Sequence, residues 1–571
     1  MDNILSAQRR SPKSLYVLIP LLLTVLFFFT THRAYHLPFS YGDDHRALGL
    51  LHPEKVSDTY KAAMYGQVPD LKGSLAVDLY FGRFRPLSWS WYAMLCKLFG
   101  DNVFLYRINN LLILFLSCFF LYRIFSCFGV DDFSAFIVLA VYVFGRNSEA
   151  WWTLDPPSQN PGECVLLAGM YTWLLYRKKQ KTGWYILPSF LFLLATLDKE
   201  SYIVCIPVIL LTDYFFFNPK PRLFAKEYWL PMLTVIIPLA GLVFTVLYVK
   251  KVYAYAYTDT VLGIFIYNVG QFIMSAGLLA APIVLLFKDS RNISRSIVLR
   301  IVVVLFLWAI LQLVLLKGIK LDSQHHYLIP WLIYPFILTA IALTKLRAIS
   351  TKWYRLNAIF YLLVVMLFAK NTYANSQSYS ASLEGYYKMI DAIKKDPGPE
   401  IIYLTSDACT DDWIAGTRVI LDNEGINQEM YFCSTADSVP SWEKEYAANS
   451  TQNAYKHIPF NASIFKPDGR WIILVDDMAK NGVVSEDISF YKDGQNEYIK
   501  VKGKSILIPG HYYYFSESYP GRSIGDILRG DFRPVNYKGF YAIKLNDLLK
   551  VPPLNNNPPP PGFRNLPKDY E

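Results

Sequence analysis

Apolar residues along this 571-residue chain gather into runs rather than spreading evenly. Up to about residue 371 the runs are roughly 17–25 residues long, enough for an α-helix to cross a hydrocarbon core of ~30 Å. They predict about eleven spans, near 15–31, 103–126, 133–148, 161–177, 183–198, 200–217, 228–249, 262–287, 297–316, 326–344 and 356–370. Residues 86–100 add a shorter Trp-bearing stretch that ends at Gly100, predicted to lie as a helix at the interface. Beyond residue 371 the pattern changes. Leu383, Tyr387, Ile390 and Ile393 recur at helical spacing within Ser378–Lys395. Strand-like runs follow at Glu400–Thr405, Arg418–Leu421, Arg470–Val475, Glu497–Val501, Ser505–Ile508 and Phe540–Lys544. The predicted fold is therefore a polytopic α-helical membrane domain over 1–371 and a mixed α/β soluble domain over 372–550. A tail over 551–571, carrying Pro558-Pro559-Pro560-Pro561, is predicted to be disordered.

Composition agrees with a membrane protein. Hydrophobic residues make up 53% of the chain and charged ones 18%, less charge than a soluble protein of this length carries. The first apolar run follows Arg9, Arg10 and Lys13, but Phe27-Phe28-Phe29 stand where a small-residue cleavage site would be, so it reads as a retained helix. The net charge of +10 lies mostly in short loops between apolar runs, which points to topology and not to nucleic acid. With the N-terminus inside, the inner loops hold eighteen Lys and Arg residues against seven in the short outer loops. That bias follows the positive-inside rule, and an odd number of spans then puts the C-terminal domain outside. The seven cysteines show no metal spacing. Cys409 and Cys433 lie in the soluble part, where an oxidising compartment would permit a disulfide.

This topology sets Asp43, Asp44, His45, Arg83, Arg85, Asp155, Glu163, Asp198, Lys199, Glu200, His325 and His326 at one face. Ionisable groups at membrane depth are costly and tend to serve function. Five groups of residues stand out in order. Tyr41-Gly42-Asp43-Asp44-His45-Arg46 follows the first span. Phe81-Gly82-Arg83-Phe84-Arg85-Pro86-Leu87 opens the interface helix, and Gly100-Asp101-Asn102 leads to Tyr106-Arg107-Ile108-Asn109-Asn110. Leu197-Asp198-Lys199-Glu200-Ser201 forms a tight hairpin, and His325-His326-Tyr327-Leu328-Ile329-Pro330 opens a late span.

In this order, over about residues 15–345, the chain resembles the GT-C glycosyltransferases, in particular the branch of protein O-mannosyltransferases and lipid A aminoarabinose transferases. The resemblance implies transfer of a sugar from a polyprenyl-phosphate carrier, on the outer face, to a hydroxyl of a glycan, lipid or protein acceptor. It maps the base to Asp43, with Asp44 orienting the acceptor or a metal. His325 and His326 depart from the family pattern, which has an arginine at about one of these places.

The residues bear this chemistry on their own terms. A phosphate leaves with its charge stabilised, so one base for the acceptor hydroxyl and nearby cations are sufficient. Asp43 and Asp44 supply the carboxylates; a turn or cap role after Gly42 is the alternative. Arg83 and Arg85, on one side of an extended segment before Pro86, offer paired donors to a phosphate or, alternatively, anchor on lipid headgroups. Lys199 is a further phosphate contact held by Glu200, or else part of an ion-paired turn. His325 and His326 complete the phosphate set, or else are satisfied interfacial histidines, with His45 and Tyr327 in support. No cofactor is required; Asp-Asp-His can also ligate a divalent ion bridging the phosphate. Trp151-Trp152 reads as a membrane-belt pair, with stacking on a sugar ring as the alternative. A sugar-lipid flippase is disfavoured by the few mid-span charges and the lack of a repeat. A non-catalytic scaffold with a binding ectodomain is disfavoured by the Asp-Asp and Arg-Pro constellation. The expected setting is the inner or plasma membrane of a prokaryote.

Overall fold

The computed structural model describes residues 14–39, 85–145, 148–154, 160–179, 185–199, 226–249, 329–405 and 411–434. Parts of 202–210, a few isolated positions, residues 456–458 and 468–470, and the strands named below are also described. The chain divides into two compact units. The helices up to Tyr373 belong to the first; His36–Phe39 and the residues from Ala374 onward belong to the second.

The first unit is helical. Its described elements are α1 (Leu15–Tyr35), α2 (Pro86–Phe99), α3 (Val103–Cys127), α4 (Asp132–Phe144), α5 (Asn160–Lys179), α6 (Ile186–Asp198), α7 (Lys226–Val249), α8 (Ile329–Ile349) and the first part of α9 (Thr351–Lys395). Among the described residues, α1, α3, α8 and α9 are long and apolar enough to cross a membrane, and α4, α6 and part of α7 are shorter apolar helices. The predicted spans at 262–287 and 297–316 lie outside the described residues. The predicted span at 356–370 and the helix over 378–395 are one helix, α9, because no Gly or Pro interrupts 351–383.

Apolar side chains separate cleanly by face. Leu114, Leu121 and Phe125 of α3, Ile137 and Val143 of α4, Leu166 of α5 and Phe192 of α6 are fully buried between helices. Leu18 and Phe29 of α1, Phe190 of α6, Ile237 of α7 and Leu363 and Met366 of α9 are more than half exposed. Long apolar residues turned outward along several helices are costly in water and favourable in lipid. This is a multi-pass integral membrane protein.

Polar contacts mark the two ends of this bundle. At one end Asp131 caps α4 through Ser134 N at 3.2 Å, pairs with Arg347 of α8 at 3.0 Å and accepts from Thr344. Arg123 of α3 donates to Tyr171 of α5 and lies 4.4 Å over the Tyr16 ring of α1. Antiparallel hairpins then set the C-terminal ends of α1, α4 and α6 and the start of α5 at the other end.

The second unit holds an α/β fold. Strands β1 (Glu400–Thr405), β2 (Glu429–Ser434), β3 (Lys456–His457) and β4 (Trp471–Leu474) run parallel, and β8 (Gly510–Phe515) and β11 (Phe540–Leu545) join antiparallel. The order across the sheet is β3-β2-β1-β4-β11-β8. Helix α10 (Asp411–Asn423) connects β1 to β2. The predicted strand at Arg418–Leu421 is thus corrected: it lies inside α10. A short β-branched run fits a strand or a buried helix equally by pattern, and here Arg418 donates to Asp422 one turn on and to the carbonyls of Ile426 and Gln428. Asp411-Asp412 accordingly opens a helix. Antiparallel β5 (Val483–Ser485), β6 (Ile488–Asp493) and β7 (Asn496–Val501) form a separate sheet, and β9 (Ser518–Tyr519) pairs with β10 (Val535–Asn536).

The start of the main sheet is pinned by ion pairs. Arg470 bridges Asp468 and Glu400, joining the first residues of β1 and β4. Lys544 pairs with Asp396, and Trp471 Nε1 donates to the Asp396 carbonyl at 2.9 Å. Cys433 on β2 is a free thiol, fully buried, and burial pushes it up to about 12. Cys409 lies outside the described residues.

Candidate active site

Two of the sequence-predicted site residues are described, Arg85 and Lys199. Asp43, Asp44, His45, Arg83, Glu200, His325, His326 and Tyr327 lie outside the described residues.

Arg85 stands immediately before α2, whose first residue is Pro86. Proline favours that position because its missing N–H is one the helix start leaves unused. Arg85 has φ −130° and ψ 56°, so its backbone is already turning into the helix and is not fully extended. Its side chain is only 2% exposed. An arginine that anchors on lipid headgroups needs an open path to them; this one is enclosed by protein. At its far end α2 closes on Gly100, φ +58°, a conformation glycine adopts without strain. The Gly100 carbonyl accepts from Tyr106 of α3 at 2.8 Å. The buried Trp89 and Tyr92 face inward, and α2 packs against α3 and α6.

Lys199 ends α6 and is likewise 2% exposed. Its neighbour Asp198 accepts from the backbone N–H of Gly162 at 3.1 Å. The first four N–H groups of a helix have no partner within it, and a carboxylate there also meets the positive end of the helix dipole. Asp198 thus caps α5 from the adjacent helix. A Cβ on Gly162 would collide with that carboxylate and reach 2.7 Å from the Tyr202 ring, so the contact needs glycine. Further along the same hairpin, a Cβ on Gly169 would come 2.7 Å from the Phe192 ring.

Next to Gly162 lies Glu163, fully buried on α5. Its Oε1 accepts from the hydroxyl of Tyr142 on α4 at 2.8 Å, and Oε2 has no hydrogen-bond partner among the described residues. The Tyr142 ring meets Trp151 at 6.1 Å and Phe336 of α8 edge-on at 5.7 Å. Trp151 and Trp152 are 1% and 3% exposed, which corrects the membrane-belt reading: they face protein, not the lipid interface. The turn that carries them is fixed by Asn110 of α3, which donates to the Thr153 carbonyl at 2.9 Å, and by Ser148, hydrogen-bonded to Thr372 of α9 at 2.8 Å. Burial raises the Glu149 carboxyl in this turn above its ordinary value. Among the described residues, no group of three or more His, Cys, Asp or Glu side chains is arranged to hold a metal ion.

Residues 85–248 match the family described as dolichyl-phosphate-mannose-protein mannosyltransferase. Over that segment, less than a third of the chain, the protein resembles a family of GT-C membrane glycosyltransferases. No curated protein matches it. The matched segment begins at Arg85 and includes Glu163, Asp198 and Lys199. That resemblance implies a lipid-phosphate sugar donor and an acceptor. The sequence set Glu163 among the ionisable groups at one face without a part of its own, and did not single out Tyr142. The available signal was an acid inside an apolar run, a position that costs free energy unless it is used.

Proposed function

We propose that this glycosyltransferase moves a sugar from a polyprenyl-phosphate carrier to an acceptor hydroxyl at the extracytoplasmic face. Asp43 takes the proton of the acceptor hydroxyl as its oxygen bonds to the anomeric carbon. The bond from that carbon to the phosphate breaks, and polyprenyl phosphate leaves. Asp44 orients the acceptor, or with His45 would hold a divalent ion, which would supply charge neutralisation to the leaving phosphate. Arg83, Arg85, Lys199, His325 and His326 hold the leaving phosphate, with Glu200 and Tyr327 in support. The N-terminus is cytoplasmic, about eleven spans follow, and the C-terminal domain is outside, in the inner or plasma membrane of a prokaryote.

The observation that carries this reading is the burial of Arg85 and Lys199 within the family-matched segment, each 2% exposed. Buried cations are costly unless an anion or an acceptor-rich partner meets them. A guanidinium and an ammonium together suit a phosphate, one by paired donors and the other as a point charge. The inner-loop excess of Lys and Arg supports the sidedness.

The test is binding of radiolabelled polyprenyl-phosphate mannose to the full-length protein in nanodiscs. Arg85→Ala is expected to weaken binding roughly ten- to a hundredfold, the scale of one charge-assisted hydrogen bond. Arg85→Lys should lose less, because it keeps charge and loses only the fork. Unchanged binding in both variants would remove Arg85 from the donor site. Thiol labels at residue 292 reacting only from the cytoplasm, and at residue 530 only from outside, would test the sidedness.

A further inference from the structure

A single residue, Ser350, separates α8 from α9, and its carbonyl accepts from the Tyr354 N–H at 3.0 Å. The turn is braced from within. Arg347 at the end of α8 pairs with Asp131 and lies 5.5 Å over the Tyr354 ring. Arg347 is therefore engaged by protein groups. Lys352 and Arg355 of α9 are not: both are exposed, and neither meets a hydrogen-bond or ion-pair partner among the described residues. The two acids at the start of α4 are already committed, Asp131 to Arg347 and Asp132 to the Tyr122 hydroxyl, which donates to it at 2.6 Å.

Helical periodicity sets Lys352, Arg355, Leu356, Ile359, Leu363 and Met366 on one face, at steps of three, one, three, four and three. The opposite face carries Tyr354, Ala358, Tyr361 and Val364, all buried. The first face is thus two cations followed by an apolar stripe whose four residues are 49% to 68% exposed. From Leu356 to Met366 the helix rises about 15 Å, at ~1.5 Å per residue. That is half of a ~30 Å hydrocarbon core, the depth of one leaflet. Trp353, partly exposed, stands beside the cations, and tryptophan favours the headgroup level.

Like charges one helical turn apart repel each other. An anion lodged between them reverses the sign of that interaction, and a guanidinium beside an ammonium suits a phosphate group. A soluble anion uses the cations alone. A ligand with an anionic head and an acyl chain uses the cations and the apolar stripe together.

We propose that this face of α9 is a binding site for an anionic phospholipid, with the phosphodiester held by Lys352 and Arg355 and an acyl chain laid along Leu356 to Met366. The site is independent of the assignment of the donor site. Because Arg347 and Tyr354 hold the turn on the side away from lipid, the two cations are presented on a fixed helix and lose little freedom when the headgroup arrives.

The test is retention of phosphatidylglycerol by the full-length protein in mixed detergent micelles, with bound lipid counted by native mass spectrometry. Wild type should retain phosphatidylglycerol over phosphatidylcholine of the same chains, and high salt should weaken that preference. Lys352→Gln and Arg355→Gln should each raise the half-saturating mole fraction of phosphatidylglycerol about fivefold, the scale of one cation at an anionic membrane surface. The exchange Lys352→Arg with Arg355→Lys keeps both charges and should stay close to wild type. Glycerophosphoglycerol, the headgroup without its chains, should not displace the lipid. Equal retention of the two lipids by wild type, or unchanged half-saturation in the double glutamine variant, overturns the proposal. Displacement by glycerophosphoglycerol overturns it in favour of a soluble anion. A loss in the exchanged variant as large as in the glutamine variants overturns it as well, since charge is then not what the lipid reads. Both residues are exposed, so thermal unfolding of the double glutamine variant in phosphatidylcholine alone should match wild type. A lower melting temperature there would make the two residues structural and overturn the site.

Discussion

The carboxylate of Asp198 accepts the backbone N–H of Gly162 at 3.1 Å, so the last residue of α6 caps the first turn of α5. This single bond explains why a hairpin inside the family-matched segment ends in an acid and why the facing helix opens with Asn160-Pro161-Gly162. It also fixes the residue that precedes Lys199, and hence the backbone from which that buried cation projects.

Gly162→Ala is expected to destabilise the protein by about 1–3 kcal/mol, the usual cost of forcing a methyl into a filled space. Asp198→Asn should be milder, because the amide oxygen still accepts from Gly162. Thermal unfolding in detergent, followed by tryptophan fluorescence, checks the order. Equal stability of Gly162→Ala and wild type would contradict the close approach of α5 and α6.

Tyr142→Phe removes the only hydrogen bond seen to Glu163, on Oε1, and leaves a buried carboxyl without any partner among the described residues. The expected loss is about 1–3 kcal/mol. Replacing both groups by apolar ones, Tyr142→Phe with Glu163→Met, should cost less than Tyr142→Phe alone, because no polar atom is then stranded. A double variant less stable than the single one would show that Glu163 has a further partner.

Asp43→Asn is expected to fold and to bind donor lipid but to lose transfer by roughly 10²–10⁴, since Asn cannot take the acceptor proton. Asp44→Asn should be milder. The opposite ranking would exchange the two roles. Normal transfer in both variants would make the pair structural.

In the C-terminal unit, acid sensitivity centres on Asp468. The Arg470 guanidinium holds its carboxyl below the ordinary value. A depressed folded-state pKa contributes stability that is present above the unfolded pKa of about 4 and is lost as pH falls through the folded one. The acid unfolding limb should therefore shift to lower pH in wild type relative to Asp468→Asn. Because Asp468 is partly exposed, high salt should narrow the difference. Coincident limbs in low salt would show that the pair contributes nothing.

How much of this was legible in the sequence differs by level. The described helices follow the apolar runs closely, because a span must satisfy its own backbone hydrogen bonds in lipid and so announces itself by length and hydropathy. The strands at Glu400–Thr405 and Phe540–Leu545 were readable for a related reason: continuous apolar runs of strand length bounded by turns. Arg418–Leu421 was not, since four residues carry too little period to separate a strand from a buried helix, and the Arg418 contacts that decide the matter come from residues as far as Gln428.

Residue types and order alone brought Arg85, Lys199 and the Asp43-Asp44 pair forward as candidates and pointed to lipid-phosphate sugar transfer. Tertiary structure decided what lies against what. Hydropathy assigns a residue to a depth but not to a direction around the helix. So only the packed bundle could turn Trp151 and Trp152 inward, bury Glu163 against Tyr142, and make Asp198 a cap for α5. The bond from Tyr387 to Phe39 is the furthest case: two residues 348 positions apart, with no pattern linking them, meet only because the chain folds back upon itself.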